Sequence, residues 1–125
     1  LIYLGGGGGT LTMHDIEHAL SGYYDVTHGV GLAAILPAWM KYTLSVKNER
    51  FATLGKKVFN QPDGIAATEA WLAKVGMAFK LRDVGAALDT AEEIGMIAEK
   101  GGFGLRFHPI PLNAKSVAEI YRNAY

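Results

Sequence analysis

From Thr10 onward the apolar residues recur at three- and four-residue spacings, and nowhere do they alternate over the length of a strand. That is the period of a helix with one buried face, and it leaves a sheet no strands to draw on. No two apolar runs are joined by a hairpin turn, and no segment repeats at a fixed interval. The expected class is therefore all-α, a bundle of about six helices.

Punctuation residues set the expected boundaries. Thr12 caps a first helix over about 13–24, with Met13, Ile16, Leu20, Tyr23 and Tyr24 on its buried side and Asp15 and Glu17 near the positive end of its dipole. Thr27 opens a second over about 28–44, kinked at Pro37 where the ring removes a backbone donor. A third over about 47–59 stops at Asn60-Gln61-Pro62, and Asp63 caps a fourth that ends at Gly76. Residues 80–85 connect. Thr90 and Glu93 form a capping box for a fifth helix closed by Gly101-Gly102. Two prolines hold residues 103–111 extended, and Asn113 caps a last helix over about 114–125.

At 125 residues the chain has room for one domain. Half of it is apolar and 19% is charged, which is too apolar for a disordered chain. Twelve basic residues balance twelve acidic ones, and the two halves are each nearly neutral, so no basic stripe exists for nucleic acid. The charge-free stretch 26–40 is interrupted by Pro37 and two glycines and is too short to span a bilayer. No basic segment precedes the first apolar run, so no signal peptide is expected; a reducing, cytoplasmic setting is. There is no cysteine, which removes disulfides, thiolate zinc sites and cysteine nucleophiles. Five glycines at 5–9 read as a remnant or linker, a cloning scar or a loop with little order, ahead of a helical domain over 10–125. They lack the Lys-Ser/Thr or acidic spacing of a phosphate-binding loop.

The chemistry lies in the histidines. His14, His18 and His28 are three of the four in the chain and fall within fifteen residues. His14 and His18, four apart on one helix, share a face, and a short loop folds His28 back toward them. An isolated helix-face pair is usually just solvated, but three histidines beside a charge-poor helix suit a divalent metal. His108, alone between Phe107 and Pro109, is expected to be structural. Trp39, Phe103 and Phe107 are candidates for an apolar pocket, although aromatics in a helical protein are more often core. The same stretch, His14-Asp15-Ile16-Glu17-His18, has the H-x-x-E-H form of inverted zinc peptidases, with Glu17 as base. A third alternative is a non-catalytic helical module whose histidines only satisfy local hydrogen bonds.

Thr12-Met13-His14-Asp15-Ile16-Glu17-His18-Ala19-Leu20-Ser21, followed by Tyr23-Tyr24-Asp25-Val26-Thr27-His28-Gly29-Val30-Gly31-Leu32-Ala33, resembles the iron-containing alcohol dehydrogenases, in particular their butanol dehydrogenase-like, NAD(P)H-dependent branch. The similarity continues through Leu36-Pro37-Ala38-Trp39-Met40-Lys41-Tyr42, Leu81-Arg82-Asp83-Val84-Gly85, Pro111-Leu112-Asn113 and Val117-Ala118-Glu119-Ile120-Tyr121. The resemblance implies an enzyme of two domains, an α/β domain for the nicotinamide and a helical C-terminal domain for the metal, of which this chain is similar to the later part. It implies reversible oxidation of a small alcohol to an aldehyde or ketone, with iron(II) or zinc held by one Asp and three His. His14 and His28 match the last two of those histidines; His18 matches one that is no ligand but lies near the nicotinamide and substrate. The Asp, the first His and the cofactor domain would lie upstream. By this reading the chain alone is inactive, binds metal weakly or not at all, and self-associates through apolar surface that its missing neighbour would cover.

Overall fold

The computed structural model describes residues 11–125, apart from the side chain of Phe103. The glycines at 5–9 lie outside the described residues, as does any pocket-lining role for Phe103. Five α-helices follow one another: α1 (Thr12–Tyr24), α2 (His28–Leu54), α3 (Gly64–Lys74), α4 (Ala91–Gly101) and α5 (Ala114–Ala124). One π-helical turn, Gly55–Phe59, prolongs α2, and 3-10 turns at Leu81–Val84, Leu88–Thr90 and Phe103–Phe107 fill the connections. Among the described residues there is no strand.

The count differs from six because the expected second and third helices are one. Lys47, with φ −132° and ψ 22°, marks the seam as a kink rather than a break. Pro37 lies inside α2 without non-helical dihedrals, so the expected kink occurs at Lys47 instead. The merged helix, His28–Phe59, is long and apolar enough by length and composition to cross a membrane. Length therefore does not decide the point, but Ala33, Ala34, Ile35, Ala38 and Met40 are buried among the other helices.

Caps divide into those that work locally and those that tertiary contacts override. Asp63 accepts from the N–H groups of Ile65 and Ala66, and Asn113 accepts from Ser116 N–H, as their side chains predict. Thr12 does not cap: it sits within the first turn of α1, fully buried, behind Leu11. Thr27 stands at the N-cap position of α2 but contributes only its carbonyl, which accepts from Val30 and Gly31. The capping box at Thr90 does not form, because both of its members are engaged elsewhere. The Thr90 hydroxyl donates to Ala87 O (2.7 Å) and meets the hydroxyls of Tyr24 and Tyr121, while Glu93 accepts from Tyr23. Tyr23, expected inside, is 42% exposed for that reason. Residues 103–107 coil into a 3-10 turn, and only His108 onward is extended.

A single apolar cluster draws on every α-helix but α3, joined by Leu81, Ala86, Leu105 and Leu112 from the connections. α4 packs on α5 and α1, and α2 packs on α1, α3 and α5. α5 supplies Val117, Ala118, Ile120, Tyr121 and Ala124, one stripe at helical spacing. Gly95 of α4 lies so near the Ala114 carbonyl that no Cβ fits between them. That absence is what lets the start of α5 approach α4.

Candidate metal centre

α1 ends at Asp25, whose left-handed backbone (φ 55°) and N–H bond to Ser21 O stop the helix and turn the chain. α2 then starts at His28 and crosses back over the middle of α1. The crossing brings together the three expected histidines. The His14 and His18 rings lie 6.2 Å apart between centroids, and each lies 5.3 Å from His28. His14 is partly buried, and His18 and His28 are exposed.

A carboxylate joins them: Glu17, which the sequence places near the positive end of the α1 dipole or, in the peptidase alternative, as base. Glu17 is 0% exposed, and its Oε2 is hydrogen-bonded to Nδ1 of His28. Donor atoms of Glu17, His18 and His28 all lie within 4.8 Å of one another. The signal was available in the periodicity: Glu17 falls in the stripe of Met13, Ile16 and Leu20, a charged residue where an apolar one belongs. His14 is not part of that set of donor atoms, although its ring lies 5.3 Å from that of His28. Imidazoles gathered from two helices are chemically suitable donors for a divalent metal, so the residues present fit the ion that the resemblance implies. The peptidase alternative loses its base, since Glu17 is sealed between the helices and bound to His28 rather than turned to a solvent-filled cleft.

Neighbouring groups define the surroundings. Asp15 Oδ2 accepts from Gly104 N–H at 2.8 Å, tying the 3-10 turn after α4 to α1. Between Asp15 and His18 on one side and Ile97, Gly101 and Gly102 on the other lies a cleft of about 200 Å³. Of the other two pocket candidates, Phe107 is 55% exposed, and Trp39 packs edge-on against His108 with ring centroids 5.9 Å apart. His108 is structural. It is buried, its Nε2 lies 3.1 Å from the Thr43 hydroxyl, and its Nδ1 lies 2.8 Å from Ile110 O and 3.2 Å from Ile110 N. Burial pushes its pKa below the ordinary imidazole value, with a smaller contribution from the Lys47 charge, against the upward pull of the Ile110 backbone.

The model of the Fe-containing alcohol dehydrogenase family, C-terminal, matches residues 6–125. NADH-dependent butanol dehydrogenase A of Clostridium acetobutylicum is 34% identical over 123 residues, which take in 90% of this chain and 32% of that protein. 1,3-Propanediol dehydrogenase of Citrobacter freundii is 30% identical over 123 residues, with the same 90% and 32% coverage. The crystal structure of NADH-dependent butanol dehydrogenase A from Thermotoga maritima superposes with a TM-score of 0.83 at 32% identity, covering 94% of this chain and 33% of that one. The chain thus spans about a third of the length of the relatives it matches. With its helical architecture, this match over nearly its whole length means that the chain belongs to the Fe-containing alcohol dehydrogenase family and corresponds to the family's C-terminal region.

Proposed function

We propose that this chain is the metal-holding helical part of an NAD(P)-linked alcohol dehydrogenase or aldehyde reductase acting on a small alcohol or aldehyde. The observation that carries the reading is the convergence of His14, His18 and His28, with ring centroids 5.3–6.2 Å apart, at the crossing of α1 and α2. His14 and His28 are the ligands this chain supplies, for iron(II) or zinc. When bound, the metal supplies Lewis acidity toward the substrate oxygen and the nicotinamide supplies or accepts the hydride. His18, one turn along the same face from His14, exchanges a proton with the substrate hydroxyl through a ring nitrogen and shapes the pocket beside it. The aspartate, the remaining histidine and the cofactor site belong to the part of the relatives that this chain does not cover. The chain alone is accordingly inactive and its two ligands make a weak site. Exposed apolar side chains such as Val58 and Met96 support self-association.

The test is metal content of the purified chain after anaerobic loading with iron(II) or zinc, beside His14→Ala and His28→Ala. Uptake that is weak in the wild type and lost in both variants is expected. Equal uptake by all three would overturn the assignment and favour histidines that only make local hydrogen bonds.

A further inference from the structure

Glu17 is the one residue of the cluster to which the proposed reaction gives no task, and its placement is the least expected in the molecule. A carboxylate with no exposure is costly unless it is paired and hydrogen-bonded. Here Oε2 is bound to Nδ1 of His28, while Oε1 has no hydrogen-bond partner. The first turn of α2 is shaped around that oxygen: a Cβ at Gly31 would lie 2.6 Å from Oε1 and 3.0 Å from Cγ of Glu17. Carboxylate and glycine therefore occupy one space, on two helices. The His28 side chain is otherwise 48% exposed, so packing alone does not fix its ring.

We infer that Glu17 is a positioning residue: its buried carboxylate holds His28 with the proton on Nδ1 and presents Nε2 as the donor nitrogen, and Gly31 is glycine to seat it. The inference rests on the reading of His28 as a metal ligand. An imidazole bound through one nitrogen needs its other N–H oriented, and a carboxylate does this while raising the basicity of the donor atom. Both rotation of the ring and exchange of tautomers would otherwise be open to a half-exposed histidine. Glu17 thus acts through His28 and does not itself bind the ion.

The experiment is long-range proton–nitrogen NMR of the histidine-labelled chain at about pH 8, where an unperturbed imidazole is neutral, followed by zinc titration. In the wild type His28 is expected as the Nδ1–H tautomer, with zinc shifting Nε2. Glu17→Ala should move His28 toward the Nε2–H form and weaken zinc binding by about 10–100-fold, leaving the tautomer of His14 unchanged. Glu17→Gln, whose amide oxygen can still accept from Nδ1–H, should keep the tautomer and much of the affinity; it also serves if the alanine variant does not fold. Gly31→Ala should reproduce the loss by pushing the carboxylate from its seat. A wild-type His28 protonated on Nε2, or a zinc shift at Nδ1, would overturn the inference. So would a Glu17→Ala variant with unchanged tautomer and affinity while His28→Ala loses zinc, an outcome that leaves the metal reading standing. Zinc binding indifferent to both His28 and Glu17 would overturn the two together.

Discussion

The α4–α5 pair and the α1–α2 crossing are built on opposite terms. Across the first, Ala91, Ile94, Gly95 and Ala98 meet Val117, Ala118, Ile120 and Tyr121, all buried, and the one polar group among them is satisfied. Across the second lies a buried carboxylate. All three buried side-chain polar atoms that lack a hydrogen-bond partner among the described residues, on Thr12, Glu17 and Trp39, belong to α1 and α2. Polar atoms left so cost stability wherever they occur, and proteins tolerate them where chemistry requires it. The α4–α5 pair holds the fold, and the crossing of α1 and α2 spends part of that stability on presenting histidines.

The sharpest way to break this comparison is to damage each side in turn. Ile94→Ala should destabilise by about 2–5 kcal/mol, read by chemical denaturation, with no effect on zinc-dependent shifts of His28 in the molecules that remain folded. Glu17→Met should do the reverse. The substitution removes an oxygen that has no partner, and half-exposed His28 regains water, so the stability change should be about 1 kcal/mol or less, while zinc binding falls. If Glu17→Met cost as much stability as Ile94→Ala, the crossing would be structural and the contrast false.

A subtler probe lies at the edge of the α4–α5 pair. The Tyr121 hydroxyl donates to Ala87 O at 2.8 Å and meets Thr90, whose hydroxyl also meets Tyr24, so this small network joins α1, α5 and the turn before α4. Tyr121→Phe should cost about 1 kcal/mol. Burial pushes the Tyr121 phenol up to about 12, so the folded state favours its protonated form. Its contribution is complete below the unfolded value of about 10 and is lost as pH rises through the folded one. The steep alkaline fall in stability between those limits should flatten in the phenylalanine variant.

The smallest expected effect is at His108. Its folded pKa is depressed by burial, so its contribution is present above the ordinary value of about 6.5 and lost as pH falls through the lower folded one. The protection of the Ile110 amide, corrected for the intrinsic pH dependence of amide exchange, should therefore fall on acidification, and in a His108→Gln variant it should be nearly independent of pH. Unchanged acid sensitivity in that variant would place the titrating group elsewhere.

Helices α3 and α5 were legible because their caps and apolar stripes are local, and Asp63 and Asn113 serve as their residue types predict. The histidine cluster was legible too, since an i, i+4 pair and a short loop leave little freedom. The capping box at Thr90 was misread because Tyr23, Tyr24 and Tyr121 reach its members from distant parts of the chain. Lys47 was misread as a break because nothing in its neighbours shows whether one irregular residue ends a helix or merely bends it.

Periodicity and punctuation by themselves determined the all-helical class, the caps of two helices and three histidines within one loop's reach of each other. Tertiary structure decided the rest: that α2 runs through its kink, that its first turn crosses α1 at Gly31, and that Glu17 is sealed against it. The physical reason is that spacing along a chain fixes which side chains share a helix face. Which of them lose water depends on how closely two helices approach, and that is set by the side chains of both.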